Sequence, residues 1–314
     1  MALTQNNRGY GAGKYGIEFL NANGSWIKEA SGGEATADVV TEKIGADHLA
    51  RKHLAGVKYE EISIKCGAGT SEKLYNWIKT GFDHTSNASG REDGAIVFAD
   101  YDNNELSRLN WLQGLLTEFS MPALDAASKD SALMSVKWQP EITRKIIGGG
   151  GKISFSGSAA KQKKWLPSNF RIRIDGADQG CAKVGKIDAI TIKQKTTDDS
   201  VGERRDYEKL PVSVEIPNLV ITLTESFAHE FYQWHEDFVI KGNCGEDRER
   251  GGTLEYLTPD LKEVLFTLNF YHLGIFKITP DKAEAGAEAV RRVKVEMYCE
   301  DIKFSYSSSA QFQK

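Results

Sequence analysis

The sequence predicts a mainly β protein (α+β) built as two tandem copies of one unit, each a small β-barrel or sandwich with one flanking helix. Three observations predict it. Short runs of alternating apolar and polar residues recur along the whole chain, one amphipathic helical stretch falls in each half, and both halves present these pieces in the same order.

The first strand of each half ends at a glycine, at residues 15–24 (YGIEFLNANG) and 169–176 (NFRIRIDG). Aligning Phe19 with Phe170 and Gly24 with Gly176 sets offsets of 151 and 152. A second alternating strand, 61–65 (EISIK), answers 219–224 (LVITLT). A helix follows each, over 71–82 (SEKLYNWIKTGF) and 226–239 (SFAHEFYQWHEDFV), with Tyr75 and Trp77 answering Tyr232 and Trp234 at offset 157. Leu74, Trp77 and Ile78 stand at i, i+3 and i+4, and Phe227, Phe231 and Trp234 at i, i+4 and i+7. Such stripes face a core, so these six residues are the expected structural core of the two helices.

Beyond each helix comes a polar connection and then a strand, a turn and a second strand. The turns are Asp102-Asn103-Asn104 and Thr258-Pro259-Asp260. Asn110-Trp111 answers Asn269-Phe270 at offset 159. A proline-containing, helix-prone loop then leads to one last strand, over 132–142 and 290–302, where Val136-Lys137 answers Val293-Lys294 at offset 157. The glycine run at 148–151 and the small, basic residues after it divide the copies. The expected domains are 1–147 and 167–314, joined by a Gly/Lys-rich linker over 148–166.

Composition narrows the function. With 40 Lys+Arg against 44 Asp+Glu, 16 and 19 of them in residues 1–150, neither half has the basic excess of a nucleic-acid binder. No apolar run approaches the roughly 20 residues that span a bilayer. The polar, Gly-rich first 16 residues lack the apolar core of a secretory signal, so a protein retained where it is made, or released by lysis, is expected. Cysteines 66, 181, 244 and 299 are too far apart for a metal knuckle and read as reduced.

Candidate active sites fail on spacing. After His229-Glu230, a zinc-protease helix needs His at 233, where Gln233 stands, and His235 comes two residues late. A phosphate loop ending at Lys152 needs Gly at 146 and Ser or Thr at 153, which are Ile146 and Ile153. The six histidines join no Ser/His/Asp order with a G-x-S-x-G elbow, and Asp100 and Asp102 serve a turn. The sequons at Asn23 and Asn87 have no route to a glycosylating compartment. No catalytic residue, cofactor or metal is expected, and the protein reads as a non-enzyme.

The stretch 54–67 (LAGVKYEEISIKCG) followed by 74–82 (LYNWIKTGF) is similar to the signature of contractile-phage tail-tube proteins, through Gly56, Lys58, Tyr59, Ile62, Ile64, Lys65, Gly67, Leu74, Trp77 and Ile78. Residues 95–112 resemble that family's strand, turn and strand, although Leu109 and Asn110 separate Arg108 from Trp111. Pro122-Ala123-Leu124 with Val136-Lys137 and Glu141 resembles its closing portion. The resemblance covers about residues 10–147. The second half fits by element order, and lacks the Lys-Tyr pair before its second strand.

The resemblance implies two tail-tube-like domains whose edges pair into a ring with a continuous inner β-barrel. Rings stack into a tube inside a contractile sheath, as in phage tails, contractile injection systems and type VI secretion. The implied partners are the chain itself, the sheath protein, a baseplate hub, and DNA or an effector passing through the lumen without specific binding. The implied location is the phage virion, after assembly in the bacterial cytoplasm, without a membrane. A tandem copy suggests a trimer with pseudo-sixfold symmetry, a hexamer being the alternative. A weakly acidic lumen would suit DNA. By analogy, Gly45, His48, His53 and Gly56 mark the candidate ring-stacking loop. The rival readings are a baseplate hub or tube initiator and, more remotely, a glycan-binding β-sandwich module.

Overall fold

The computed structural model describes residues 13–20, 22–43, 45, 48–82, 90–148, 151–153, 155, 165–200, 202–203, 206–282 and 290–306. In the first half, β1 (Lys14–Phe19), β2 (Ala22–Ile27) and the short β3 (Glu29–Ser31) lead to a ribbon of β4 (Ala35–Glu42) and β5 (Arg51–Tyr59). Then come β6 (Ile62–Cys66), helix α1 (Glu72–Gly81), β7 (Arg91–Ala99), the long β8 (Glu105–Met121), β9 (Leu124–Asp125), β10 (Met134–Gln139) and β11 (Ile142–Ile147).

The second half runs β12 (Phe170–Ile174), a single turn α2 (Asp178–Cys181), β13 (Val184–Ile187), β14 (Ile190–Asp199), β15 (Glu208–Glu215) and β16 (Leu219–Thr224). Helix α3 (His229–His235) continues as a π-helical turn over Glu236–Ile240. β17 (Arg250–Leu257), the long β18 (Val264–Pro280), β19 (Arg292–Tyr298) and β20 (Asp301–Tyr306) complete it.

The two halves have one topology. Strand order β1-β7-β8-β10-β6-β3 recurs as β12-β17-β18-β19-β16-β13. β11 pairs with β8 as β20 pairs with β18, and β4 pairs with β5 as β14 pairs with β15. Backbone irregularities repeat too. Gln113 and His272, 159 residues apart, both take positive φ (52° and 55°) near the middle of the two 17-residue strands. A side chain with a Cβ rarely adopts this conformation, so its recurrence marks a built-in bend. The bend lets one strand serve two neighbours in turn: β8 pairs with β11 before it and with β10 after it.

Burial follows the alternation. β10 buries Met134, Val136 and Trp138, and β16 buries Leu219, Ile221 and Leu223. Ser71 caps α1 through the Leu74 amide (3.4 Å), and Leu74, Tyr75, Trp77 and Ile78 turn inward. The main apolar cluster runs through both halves, and a smaller one of Ala95, Val97, Ala99 and Ile153 lies apart from it.

Several expectations require correction. Pairing partners equate Phe19 with Ile174, opposite Gly94 and Gly252, rather than with Phe170. They equate Val136 with Val295, opposite Phe119 and Ile278, rather than with Val293. Both slips are even, four residues and two. A period-2 pattern fixes which face is buried and leaves such shifts unmarked. The single last strand is two in each half, broken at Pro140 and around Glu300. The loop expected to be helix-prone after Pro122 holds the short strand β9 instead.

Phe227 is not a core residue. It lies in a 3₁₀ turn ahead of α3 and is 43% exposed, while Leu74, Trp77, Ile78, Phe231 and Trp234 are buried. Within 148–166, Gly148, Gly151 and Lys152 are exposed, whereas Ile153, Phe155 and Trp165 are packed. Phe155 meets Trp26 edge to face (centroids 4.8 Å) in a slot that glycines open, since a Cβ on Gly16 would lie 2.0 Å from its ring. Trp165 is 1% exposed against Tyr256 and Phe266. Lys161, Lys163, Lys164, His84, the Asn87 sequon and most of the loop after Pro280 lie outside the described residues.

Candidate assembly interface

The two repeats are joined by strand pairing. β14 of the second lies antiparallel on β8 of the first, with Ile190 opposite Met121, Thr191 opposite Ser120, Ile192 opposite Phe119 and Lys193 opposite Glu118. The last half of β8 is thereby enclosed between β10 and β14, and Phe119 and Met121 are 1% and 0% exposed. β9 adds a second seam with β13.

Side chains close the junction. Tyr75 of α1 packs against Tyr306 (5.0 Å), Phe266 (5.5 Å) and Phe304 (6.1 Å) of the second repeat. Its hydroxyl donates to the Ala68 carbonyl at 2.6 Å, and the ring is 1% exposed. Tyr59 donates to Asp206 at 2.9 Å. Glu141 accepts the Lys209 amide at 3.1 Å, and Arg91, 3.8 Å from Glu141, donates to the Lys209 carbonyl.

The counterparts of these groups are uncovered among the described residues. The last half of β18 pairs with β19 on one side, and among the described residues no strand covers its other edge. Ile278, which matches the buried Phe119, is half-buried, and Pro280, which matches Met121, is exposed. The ribbon of β4 and β5 pairs only with itself among the described residues and exposes Val39, Val40 and Leu54. Tyr232, the counterpart of Tyr75, is 38% exposed, and Ile147, the counterpart of Tyr306, is 73% exposed. The chain thus contains one made junction, and the surfaces that match its two sides are uncovered among the described residues.

On the face turned away from the core, lysines and carboxylates alternate across the strands. Lys65 pairs with Glu29 (2.7 Å), Lys137 with Glu118 (3.0 Å), Lys186 with Asp125 (2.8 Å), Lys277 with Glu296 (3.0 Å) and Lys294 with Asp188 (3.3 Å). Of the residues proposed for stacking, Gly45 and His48 lie in the connection between β4 and β5, while His53 and Gly56 lie within β5. A Cβ on Gly56 would sit 2.9 Å from the Tyr207 hydroxyl, so that glycine belongs to the junction between repeats.

Three thiols are buried. Loss of hydration pushes Cys66 and Cys181 up to about 12 and Cys299 up to about 11, so none is a nucleophile at neutral pH. Cys244 is exposed. No helix among the described residues is long and apolar enough to cross a membrane. Sequence reasoning missed the β8–β14 seam, although Ile190, Ile192 and their alternation with Thr191 and Lys193 were the available signal.

Residues 12–141 match the family model of the T4-like virus tail tube protein gp19. The first repeat is therefore a tail-tube domain of that family, and the second reproduces its topology. Among solved structures, the sheath-tube complex of an extracellular contractile injection system (PVC) in its extended state is 17% identical over 47% of this chain and 100% of that one, with a TM-score of 0.41. The anti-feeding prophage cap is 16% identical over 47% and 100%, with a TM-score of 0.39. Hcp1 from Flavobacterium johnsoniae is 11% identical over 44% and 95%, with a TM-score of 0.26. No curated protein matches.

Proposed function

We propose that the chain is a structural subunit of the inner tube of a contractile tail. In this reading each chain fills two quasi-equivalent places in a ring, and the seam between its repeats is made again between neighbouring chains. The observation that carries the proposal is the β14–β8 seam beside its uncovered counterparts, β4 and the last half of β18. Carrying the register over would set Gly33–Thr36 of one chain against Lys277–Pro280 of the next. Such a contact is head-to-tail and must either close or run on as a fibre. Three chains supply six repeats, so the ring closes as a trimer with pseudo-sixfold symmetry, and the domains divide near residues 148–166.

The face of paired lysines and carboxylates lines the channel. Its fixed charges compensate one another, in place of the weakly acidic wall expected from composition. DNA or another cargo then passes without a sticking or repelling surface. The opposite side of the ring meets the sheath, and Gly45 and His48 face the next ring. The role is architectural, with no reaction assigned to the chain.

Native mass spectrometry of purified rings, with rotational averaging of tube cross-sections, tests this. Rings of three 34.8 kDa chains with six similar lobes are expected. Six chains per ring, with the second repeats projecting outward, would refute the trimer.

A further inference from the structure

The second repeat carries a charge cluster at Glu249, His272 and Glu300. The side chain of Glu249 is 7% exposed, yet it is an acid. One of its oxygens lies 2.8 Å from Nδ1 of His272, and the other accepts from the Tyr298 hydroxyl at 2.7 Å. Glu300 completes the group, with a carboxylate oxygen of each acid and a ring nitrogen of His272 all within 4.8 Å of one another. Two carboxylates thus lie beside one imidazole, and Glu249 is the one bonded to it.

The first repeat shows what this place does. Gly94 and Gly252 sit at the same bulge, so Arg91 occupies the position of Glu249. Glu141 matches Glu300, since their amides bond the carbonyls of Leu112 and Tyr271, which lie just before the two positive-φ residues. Arg91 and Glu141 together hold both polar groups of the Lys209 peptide backbone, at the start of β15. This grip fixes the second repeat's ribbon on the first repeat.

Register then identifies what the second cluster would hold. Lys209 lies opposite Asp198 in one ribbon as Lys52 lies opposite Thr41 in the other. The residue before Lys209 is Glu208, and the residue before Lys52 is Arg51. Arg51, Lys52 and His53 are all exposed. Charge is reversed at two of the four matching places: Arg91 and Glu208 answer Glu249 and Arg51, while Glu141 and Glu300, and Lys209 and Lys52, keep their sign.

We propose that the Glu249–His272–Glu300 cluster receives the Arg51–Lys52–His53 start of β5 from a second copy of this chain. The inference rests on the ring reading above and names the contact that orders it. Reversed charge makes the two seams non-interchangeable. The acidic ribbon start at Glu208 is repelled by Glu249 and Glu300, and the basic start at Arg51 is repelled by Arg91, so neighbours meet in one order only.

The test uses the full chain with R51E, E300K and the double variant R51E/E300K, all at exposed positions. Assembly is followed by sedimentation velocity across protein concentration, and thermal melting of the dilute protein reports folding. Each single variant is expected to melt as the parent does and to need at least tenfold more protein to form rings, and the double variant to recover. Single variants that assemble like the parent, or a double variant no better than either single, would overturn the latch. A parent chain that forms no rings at any concentration would instead overturn the ring reading itself.

Discussion

Tyr75 and Tyr232 are the same residue at matching helix positions, and the assembly proposal requires them to behave differently. Tyr75 is 1% exposed, enclosed by Phe266, Phe304 and Tyr306, and its hydroxyl is bonded to Ala68. Truncation to alanine removes a large buried aromatic, which costs about 4 kcal/mol. It also strands the Ala68 carbonyl. Tyr232 is 38% exposed, so in a lone chain Tyr232→Ala costs under about 1 kcal/mol. In a ring, however, Tyr232 would meet β11 of the next chain as Tyr75 meets β20. Urea unfolding of dilute protein, followed by tryptophan fluorescence, should show a large midpoint shift for Tyr75→Ala and almost none for Tyr232→Ala. Sedimentation velocity should show the reverse ordering for specific damage, with Tyr232→Ala folded but defective in forming rings. If Tyr232→Ala lowers the unfolding midpoint as much as Tyr75→Ala, or assembles like the parent, the quasi-equivalence argument is wrong.

Other consequences are simpler to read. Trp165→Ala should destabilise the dilute protein by about 3–5 kcal/mol despite its place in a glycine- and lysine-rich stretch, because the ring is 1% exposed between Tyr256 and Phe266. Native alkylation followed by mass spectrometry should modify Cys244 and leave Cys66, Cys181 and Cys299 intact until the chain unfolds. The Arg108 guanidinium hydrogen-bonded to Glu105 holds that carboxyl below its ordinary value of 4.5. Its contribution is therefore complete above pH 4.5 and is lost as pH falls through the lower, folded value. Glu105→Gln should flatten this part of the acid limb in a stability–pH series and leave the neutral region parallel to the parent.

Much of the fold was legible because alternation and helix stripes report burial directly. The stripe Leu74, Trp77 and Ile78 faces the core because residues at i, i+3 and i+4 share one side of a helix. Phe227 looked equivalent only if the helix began at Ser226, and the 3₁₀ turn over Glu225–Phe227 breaks that phase. Alternation could not set register, which is why the first and last strands were matched four and two residues out of step. The seam between repeats was harder still. Ile190 and Ile192 announce a buried face, but whether β8 or another strand covers their edge depends on contacts about 70 residues apart in sequence. The Glu249–His272–Glu300 cluster is assembled from β17's approach, the bend in β18 and the turn before β20, so no local motif contains it.

Fusion of two copies changes what each seam must accomplish. Within the chain, β14 meets β8 as an intramolecular event, at an effective concentration that a short tether places in the millimolar range. The in-chain seam therefore needs little electrostatic selection. Arg91 and Glu141 neutralise one another there and grip only backbone groups of Lys209. A seam between separate chains has no tether, and it must also reject pairing of first repeat with first repeat. The positions outside the in-chain seam carry just such a difference. Two acids gather at one end, at Glu249 and Glu300, and Arg51, Lys52 and His53 lie at the other. In the proposed ring, duplication thus frees the two seams to diverge in charge. Identical subunits in a six-chain ring could not do so, because one surface would serve every contact.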